Sequence, residues 1–521
     1  MQELKAYARA HMRTWIQVAL ALLLLFQFAG FVSVFSAHID PRSLLAARDA
    51  DGSHIVGTAE RTRWYKDNGE TAYGAFFYRL VHTYSSLAGR EFALPSSKVE
   101  NRERAHHLAV MTLSLVSVFA ISFLLASLVF RRLELRLALT AMLTALFLSN
   151  ETWATFVYRA HPDILFGVAI LGAFLLTAQG LRRPQEKIWF YLSALAWGAS
   201  GMVKLTFVLF LPALLFLWVP PFTKENFKRA LHYYLWMLPS YLVLGFPQSF
   251  NFPRSIRFLL YQSQFSLPAT MESATTWARL LVHQMLWPLL LLLVLRRVSD
   301  HPVTLQGRWR LLAVILFPLA VIFKQNSEYR SDYYLIPVVA SLLAWFALQP
   351  RVNLADAFPK VPVTNMATAI AFLVVWLSVG LVPSKMEAEL TPTLTCRDDA
   401  TRVYLTLHEE IERGRVFVTD PYVPFDRTRT DKKARSSWEN TWARVKEVGA
   451  DGVVIYWPHA SGYIQPGEPS HGRQVDSPNW RDMRTFYLSF QGQEETQDPD
   501  GTRWTKQFSS NCGWEIWLKE R

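Results

Sequence analysis

Apolar runs of membrane-spanning character, broken by short loops rich in arginine and lysine, recur through the first 384 of the chain's 521 residues. A hydrocarbon core about 30 Å thick needs roughly 20 apolar helical residues. The hydropathy pattern gives about eleven spans, near 14–37, 106–130, 136–152, 163–180, 188–203, 205–221, 231–249, 278–295, 311–324, 334–349 and 366–384. The expected fold is therefore a polytopic α-helical membrane module over 1–384, followed by a soluble α/β domain over 385–521. Residues 385–521 hold 19 basic and 22 acidic side chains, so the formal charge of +12 comes wholly from the first 384 residues, which carry +15. Positive charge interleaved with apolar runs is a membrane-topology signal and excludes nucleic acid as the partner. Membrane lipids are partners by the same token.

The first span follows Lys5, Arg9 and Arg13 and is too long for a signal-peptide core of about 7 to 15 residues. It is expected to stay in place, with its N-terminus in the cytoplasm. Every second loop then carries the positive residues: Arg131, Arg132 and Arg136; Arg182, Arg183 and Lys187; Lys224, Lys228 and Arg229; Arg296, Arg297, Arg308 and Arg310. Keeping Lys224 and Lys228 inside requires Ile188–Pro221 to be two spans that reverse around Gly198, Gly201 and Lys204. An odd count of spans places the C-terminal domain outside, beside a large external loop over 38–106. In that domain a helix over 398–413, a strand over 415–419, a helix over 437–448 and a strand over 452–456 alternate as in an α/β unit.

Setting aside the basic loops that topology explains, the remaining ionisable residues collect at the outer ends of the spans. Asp49 and Asp51 lie in the first loop, Glu151, Arg159 and Asp163 flank the third and fourth spans, Lys204 sits at the turn between the fifth and sixth, and Lys324, Glu328, Arg330 and Asp332 precede the tenth. Charge near membrane depth is costly and often marks a site. Lys204 and Arg330 are the most informative, because the positive-inside bias disfavours them outside. Such a set suits group transfer from a membrane-held phosphate: a carboxylate takes the proton of an attacking hydroxyl, and Lys and Arg stabilise charge on a phosphate leaving group. The chain has no GxxxxGK[ST] loop, HExxH or paired CxxC. The adjacent His106 and His107 point about 100° apart on a helix, which favours packing over metal binding.

Four segments carry a resemblance to a known family. Arg48-Asp49-Ala50-Asp51-Gly52-Ser53-His54-Ile55, followed by Ala59, Gly69 and Tyr73, is similar to the first-loop pattern of the polyprenyl-phosphate-sugar-dependent glycosyltransferases of the GT-C superfamily. These are the bacterial relatives of protein mannosyltransferases and of the lipid A aminoarabinose transferase. Tyr158-Arg159-Ala160-His161-Pro162-Asp163 looks like the family segment in which a carboxylate opens the fourth span, and Gly198-Ala199-Ser200-Gly201-Met202-Val203-Lys204 looks like its Gly-rich stretch ending in Thr-Lys, with Val203 in place of Thr. Arg330-Ser331-Asp332-Tyr333-Tyr334-Leu335-Ile336-Pro337 resembles the Arg-Tyr-Leu-Leu-Pro block before a late span.

The resemblance implies a GT-C-like membrane glycosyltransferase of the bacterial inner membrane. It would transfer one sugar, with inversion, from a polyprenyl-phosphate donor to an acceptor hydroxyl of a glycan, lipid or protein on the periplasmic face. It maps the catalytic base to Asp51, with Asp49 as second choice because Ile55 replaces the usual aromatic; Asp51 could equally cap a helix starting at Gly52. Asp163 would orient the acceptor, and Lys204, Arg330, Arg159 and Lys324 would face the donor phosphate. His54, Tyr73, Tyr333 and Tyr334 would line the donor and acceptor pocket. No cofactor is required; a divalent metal at Asp51 and Asp163 is left open. The rival readings are a GT-C-like scaffold that binds a lipid-linked sugar without transferring it, and a secondary transporter. Cys396 and Cys512, the only two cysteines, both fall in the exported domain, where they are expected to form a disulfide, the alternative being two buried thiols.

Overall fold

The computed structural model describes residues 2–38, 74–88, 98–158, 161–219, 221–251, 271–295, 303–323, 334–349, 396–420, 433–437, 440–464 and 478–520, with the short pieces 253–254, 256–257 and 423–424. Its N-terminal part is helical. The helices are α1 (Gln2–His38), α2 (Ala75–Ala88), α3 (Lys98–Val129), α4 (Leu133–Leu148), α5 (Glu151–Tyr158), α6 (Asp163–Arg182), α7 (Lys187–Gly201), α8 (Leu211–Trp218), α9 (Lys224–Gly245), α10 (Met271–Leu295), α11 (Leu305–Phe323) and α12 (Leu335–Ala347). One apolar core runs through them, and α6 lies at its centre against α3, α7 and α12. Among the described residues five helices are long and apolar enough to cross a membrane, or six if a bent pair is one span.

Ten spans were expected within the described part, where two shorter apolar stretches, Leu205–Trp218 and Leu335–Ala347, join these helices; the eleventh, 366–384, lies outside the described residues. The largest departure is at 136–152, where α4 stops and α5 leaves it at 88°. Asn150 makes the corner: its side-chain oxygen accepts the Thr152 N–H at 3.1 Å, and its amide contacts His283 of α10 at 3.0 Å. Phe147 and Trp153 stack across the bend with ring centroids 4.3 Å apart. The region expected as a span at 205–221 is a 3-10 turn (Leu205–Leu209) leading into the short α8. Expected reversal between α7 and α8 is present. The stretch 38–106, expected as an external loop, contains α2 and the start of α3.

Close packing fixes α7 against α9. A Cβ on Gly198 would lie 2.0 Å from the Met237 carbonyl oxygen, so only glycine lets the two backbones approach this closely. Ser240 donates to the Leu195 carbonyl at 2.6 Å, and Tyr233 donates to the Ser193 hydroxyl at 3.0 Å across the same interface. The direction of each helix gives the bundle two distinct ends. Asp163, Gly201, Gly245 and Leu335 lie at one, while Arg182, Lys187, Lys224, Trp218 and Leu305 lie at the other.

The C-terminal part is a six-stranded sheet in the order β2-β1-β3-β6-β5-β4, built from β1 (Phe417–Thr419), β2 (Ala434–Ser436), β3 (Gly452–Tyr456), β4 (Glu495–Gln497), β5 (Arg503–Ser509) and β6 (Trp514–Lys519). The first three strands pair in parallel, and β6, β5 and β4 extend the sheet antiparallel. Both faces are covered, because alternate residues of a strand point to opposite sides. Phe417, Val454, Tyr456, Trp514 and Ile516 pack on one face against α13 (Arg397–Glu412). Val418, Val453, Ile455 and Trp517 pack on the other against α14 (Trp442–Val448), α15 (Trp457–Ile464) and α16 (Pro478–Phe490). The sequence reading anticipated α13, β1, α14 and β3, with β1 and α14 shorter than expected, and missed the antiparallel half. Cys396 at the head of α13 is disulfide-bonded to Cys512 in the β5–β6 turn, 116 residues on. A loop of that length contributes about 4 to 5 kcal/mol in the chain-entropy model.

Asp420, the residue after β1, is fully buried and staples this domain. Its carboxylate accepts from the Tyr456 N–H, the Asn440 amide and the Tyr487 hydroxyl, each at 2.7 Å. Burial outweighs these three donors and raises its pKa from 3.8 to about 6. A carboxyl that binds its proton more tightly when folded favours the fold at low pH. Its contribution is full below about pH 4, declines as pH rises from about 4 to 6 and is absent above, a difference on the order of 2–3 kcal/mol. Hydrogen-exchange protection of the Val453–Tyr456 amides in the intact chain is expected to fall across that window and to lose this dependence in Asp420→Asn. Equal pH dependence in the variant would assign the change to another group.

Candidate functional site

Two of the charged residues singled out from sequence meet inside the protein. Asp163 is the first residue of α6, where a carboxylate also complements the helix dipole. Lys204 follows α7 and enters the 3-10 turn in extended conformation. Its ammonium donates to Asp163 Oδ1 at 2.6 Å across 41 residues of sequence. The second oxygen, Oδ2, accepts from His161 Nδ1, so the imidazole carries its proton on that nitrogen. Asp163 is 1% exposed, His161 2% and Lys204 3%. The Lys204 ammonium also lies 4.8 Å from the centre of the Tyr334 ring, at the entry to α12, a cation–π contact that strengthens where water is excluded. The edge of Phe156, on α5, packs against the His161 ring.

The segment that carries Lys204 is held from several sides. The Gly74 N–H, just before α2, donates to the Val203 carbonyl at 3.0 Å. A Cβ on Gly74 would sit 1.8 Å from the Met202 carbonyl oxygen, so this junction accepts glycine alone. The Met202 sulfur is received by Gly245 at the end of α9, and Arg79 of α2 donates to the Leu244 carbonyl at 3.0 Å. The Gly-rich stretch before Lys204 is thus a packing device: Gly198 admits α9, and Gly201 admits the Phe207 ring. The backbone entering α2 is thereby bonded to the residue just before the lysine.

Of the sequence candidates, Asp163, Lys204 and Tyr334 are brought together. Asp49, Asp51, His54, Tyr73, Arg159, Lys324, Arg330 and Tyr333 lie outside the described residues. His161 was given no role from sequence, although it lies in the segment that drew attention to Asp163. Its signal was a histidine two residues before a carboxylate at a helix start. Among the described residues no group of three His, Cys, Asp or Glu could hold a metal ion. With an imidazole on one oxygen and an ammonium on the other, Asp163 is arranged as an ion-pair partner. His107 is buried and bonds to the Tyr158 carbonyl, a packing role like the one expected for the His106–His107 pair.

No family model matches this chain, and no curated protein does. Among solved structures it is similar to ArnT from Cupriavidus metallidurans in the apo state, with 15% identity over 84% of this chain and 93% of that one, at a TM-score of 0.45.

A buried pair is costly to leave half-made, because removing one partner strands a dehydrated charge, typically at about 3–5 kcal/mol. Asp163→Asn is therefore expected to lower the melting temperature of the purified protein sharply. The double variant Asp163→Asn/Lys204→Met, which removes both charges at similar volume, is expected to recover most of the loss. A double variant no more stable than Asp163→Asn would show that the two charges are not energetically coupled.

Proposed function

We propose that the chain is a membrane glycosyltransferase of the GT-C kind, which moves one sugar from a polyprenyl-phosphate donor to an acceptor hydroxyl at the outward end of the bundle. The observation that carries this reading is the buried Lys204–Asp163 pair beneath Tyr334. A lysine kept dry, oriented and next to an aromatic ring is suited to receive a phosphate, and in a dry site its charge is worth far more than in water. Asp163 holds the ammonium in place while no phosphate is there. His161 in turn fixes the orientation of Asp163. The charges sit at helix ends rather than at mid-helix, where transporters place their ion sites, so the transferase reading is favoured over transport.

In the proposed reaction the acceptor oxygen attacks the anomeric carbon from the face opposite the phosphate. The carbon–oxygen bond to phosphate breaks, and the polyprenyl phosphate leaves with the electron pair. Lys204, with Arg330, would take up the growing charge on that phosphate, and the Asp51 carboxylate would accept the acceptor's proton. The support for Asp51 is the first-loop sequence pattern, together with the fact that Gly74 of the same loop donates its N–H to the Val203 carbonyl, next to Lys204. The periplasmic face, the inner membrane and the inverting outcome are parts of the same proposal. No step draws on a metal.

The test is sugar transfer by purified protein. Asp51→Asn is expected to leave donor binding near normal and to lower turnover by at least about a hundredfold, the usual contribution of a general base. Asp49→Asn is expected to change turnover little. Full turnover in Asp51→Asn with a dead Asp49→Asn would move the base by two positions; full turnover in both would remove the assignment. No transfer with any lipid-linked sugar, alongside intact donor binding, would leave a binding scaffold.

A further inference from the structure

Met202 and Val203, the residues just before Lys204, are gripped between the ends of two helices. On one side is the start of α2, where the Gly74 N–H donates to the Val203 carbonyl at 3.0 Å. A Cβ on Gly74 would lie 1.8 Å from the Met202 carbonyl oxygen. On the other side is the last turn of α9, where a Cβ on Gly245 would lie 2.0 Å from the Met202 sulfur. The backbone of the segment thus meets α2, and its methionine side chain meets α9. Arg79, farther along α2 from Gly74, crosses between the two sides and donates from Nη1 to the Leu244 carbonyl at 3.0 Å. It is 4% exposed.

The last carbonyls of a helix have no donor within it and together carry about half a negative charge. At the end of α9 two of them are met from outside the helix: Ser249 donates to the Leu242 carbonyl at 3.0 Å, and Arg79 donates to that of Leu244. The two bonds do different things. Ser249 lies in the turn directly after α9 and closes the end of its own helix. Arg79 arrives from α2, 165 residues away in sequence, and ties one side of the grip to the other. A guanidinium there both satisfies the carbonyl and complements the charge of the helix end, in a place shielded from water. Asp163 and Tyr334 hold the Lys204 side chain. The grip on Met202 and Val203 holds the backbone from which that side chain projects.

We propose that Arg79 is a positioning residue for Lys204: by tying the end of α9 to α2 it keeps Met202 and Val203 clamped, and so keeps the ammonium where a donor phosphate meets it. The inference rests on the role proposed above for Lys204. Placement is what such a cation contributes, since a displacement of about 1 Å can cost about a hundredfold in rate. Donor binding, to which the rest of the lipid also contributes, depends on it less. Arg79 acts through the backbone and is assigned no contact with the reactants.

The clamp is read without any sugar, from the rate at which an amine-acylating reagent labels Lys204 in the full chain in detergent. Peptide mass spectrometry gives that rate relative to the exposed Lys224 of the same molecule. Arg79→Met is expected to raise the ratio at least about tenfold, the change in local opening that follows loss of one charge-assisted hydrogen bond. Arg79→Lys, which keeps a charged donor, is expected to stay within about threefold of the native ratio. Tyr233→Phe, which removes the bond to Ser193 elsewhere on the α7–α9 interface, is expected to stay within about twofold. Turnover with a lipid-linked sugar is expected to fall at least about tenfold in Arg79→Met, with the donor KM changed less than about threefold, and to return for the most part in Arg79→Lys. An unchanged ratio in Arg79→Met, or an equal rise in Tyr233→Phe, would overturn the clamp. A raised ratio with full turnover per folded molecule would overturn the positioning role. A raised ratio in a protein whose native form transfers no sugar would support the clamp and defeat the transfer reading instead. Should Arg79→Met fail to fold, Arg79→Gln, which keeps a donor and drops the charge, is expected to raise the ratio at least about threefold, and no rise would overturn the clamp.

Discussion

A lysine and an aspartate placed out of water must find each other, and the membrane part of this protein is arranged around that requirement. Each ion loses its hydration on burial, a cost of several kcal/mol that only a close partner offsets. Asp163 opens α6 and Lys204 closes the α7 reversal, so their contact fixes how those helices meet. The glycines follow from the same demand: without Gly198 the α7 backbone could not approach α9, and without Gly74 the chain entering α2 could not pack on the Met202 carbonyl. Tyr334 brings α12 to the same point. Packing and electrostatics therefore converge on one end of the bundle.

The two ends of the bundle differ in kind. At one, a single cation is dry and held by a carboxylate that is itself held by an imidazole. At the other, arginines lie against aromatic faces and backbone carbonyls, partly open to the surroundings. The first arrangement suits an anion whose charge grows during a reaction, because a preorganised donor then needs no reorganisation.

Much of this was legible in the sequence, for identifiable reasons. The loops rich in arginine marked one end, and the leftover charges Asp163 and Lys204 marked the other, because a charge next to an apolar run has few bland explanations. Their pairing was not legible, since it depends on helix crossings rather than on spacing along the chain. The corner at Asn150 was hidden because hydropathy reads 136–152 as one continuous run, while a single side chain turns it by capping Thr152. In the C-terminal domain the parallel strands β1 and β3 were readable as short apolar runs between helices. β5 escaped because most of its side chains are polar and Trp504 alone is buried. His161 was passed over because a histidine's role is set by the atom it faces, here the second oxygen of Asp163.

The account's central claim is that Lys204 gives up Asp163 for a donor phosphate. The most direct measurement is an experimental structure of the intact protein with a bound polyprenyl phosphate. The account predicts a phosphate oxygen within about 3 Å of the Lys204 Nζ, the usual reach of a charge-assisted hydrogen bond, with Asp163 still held by His161. A phosphate bound elsewhere, with Lys204 still closed on Asp163 and shut off from the ligand, would contradict it.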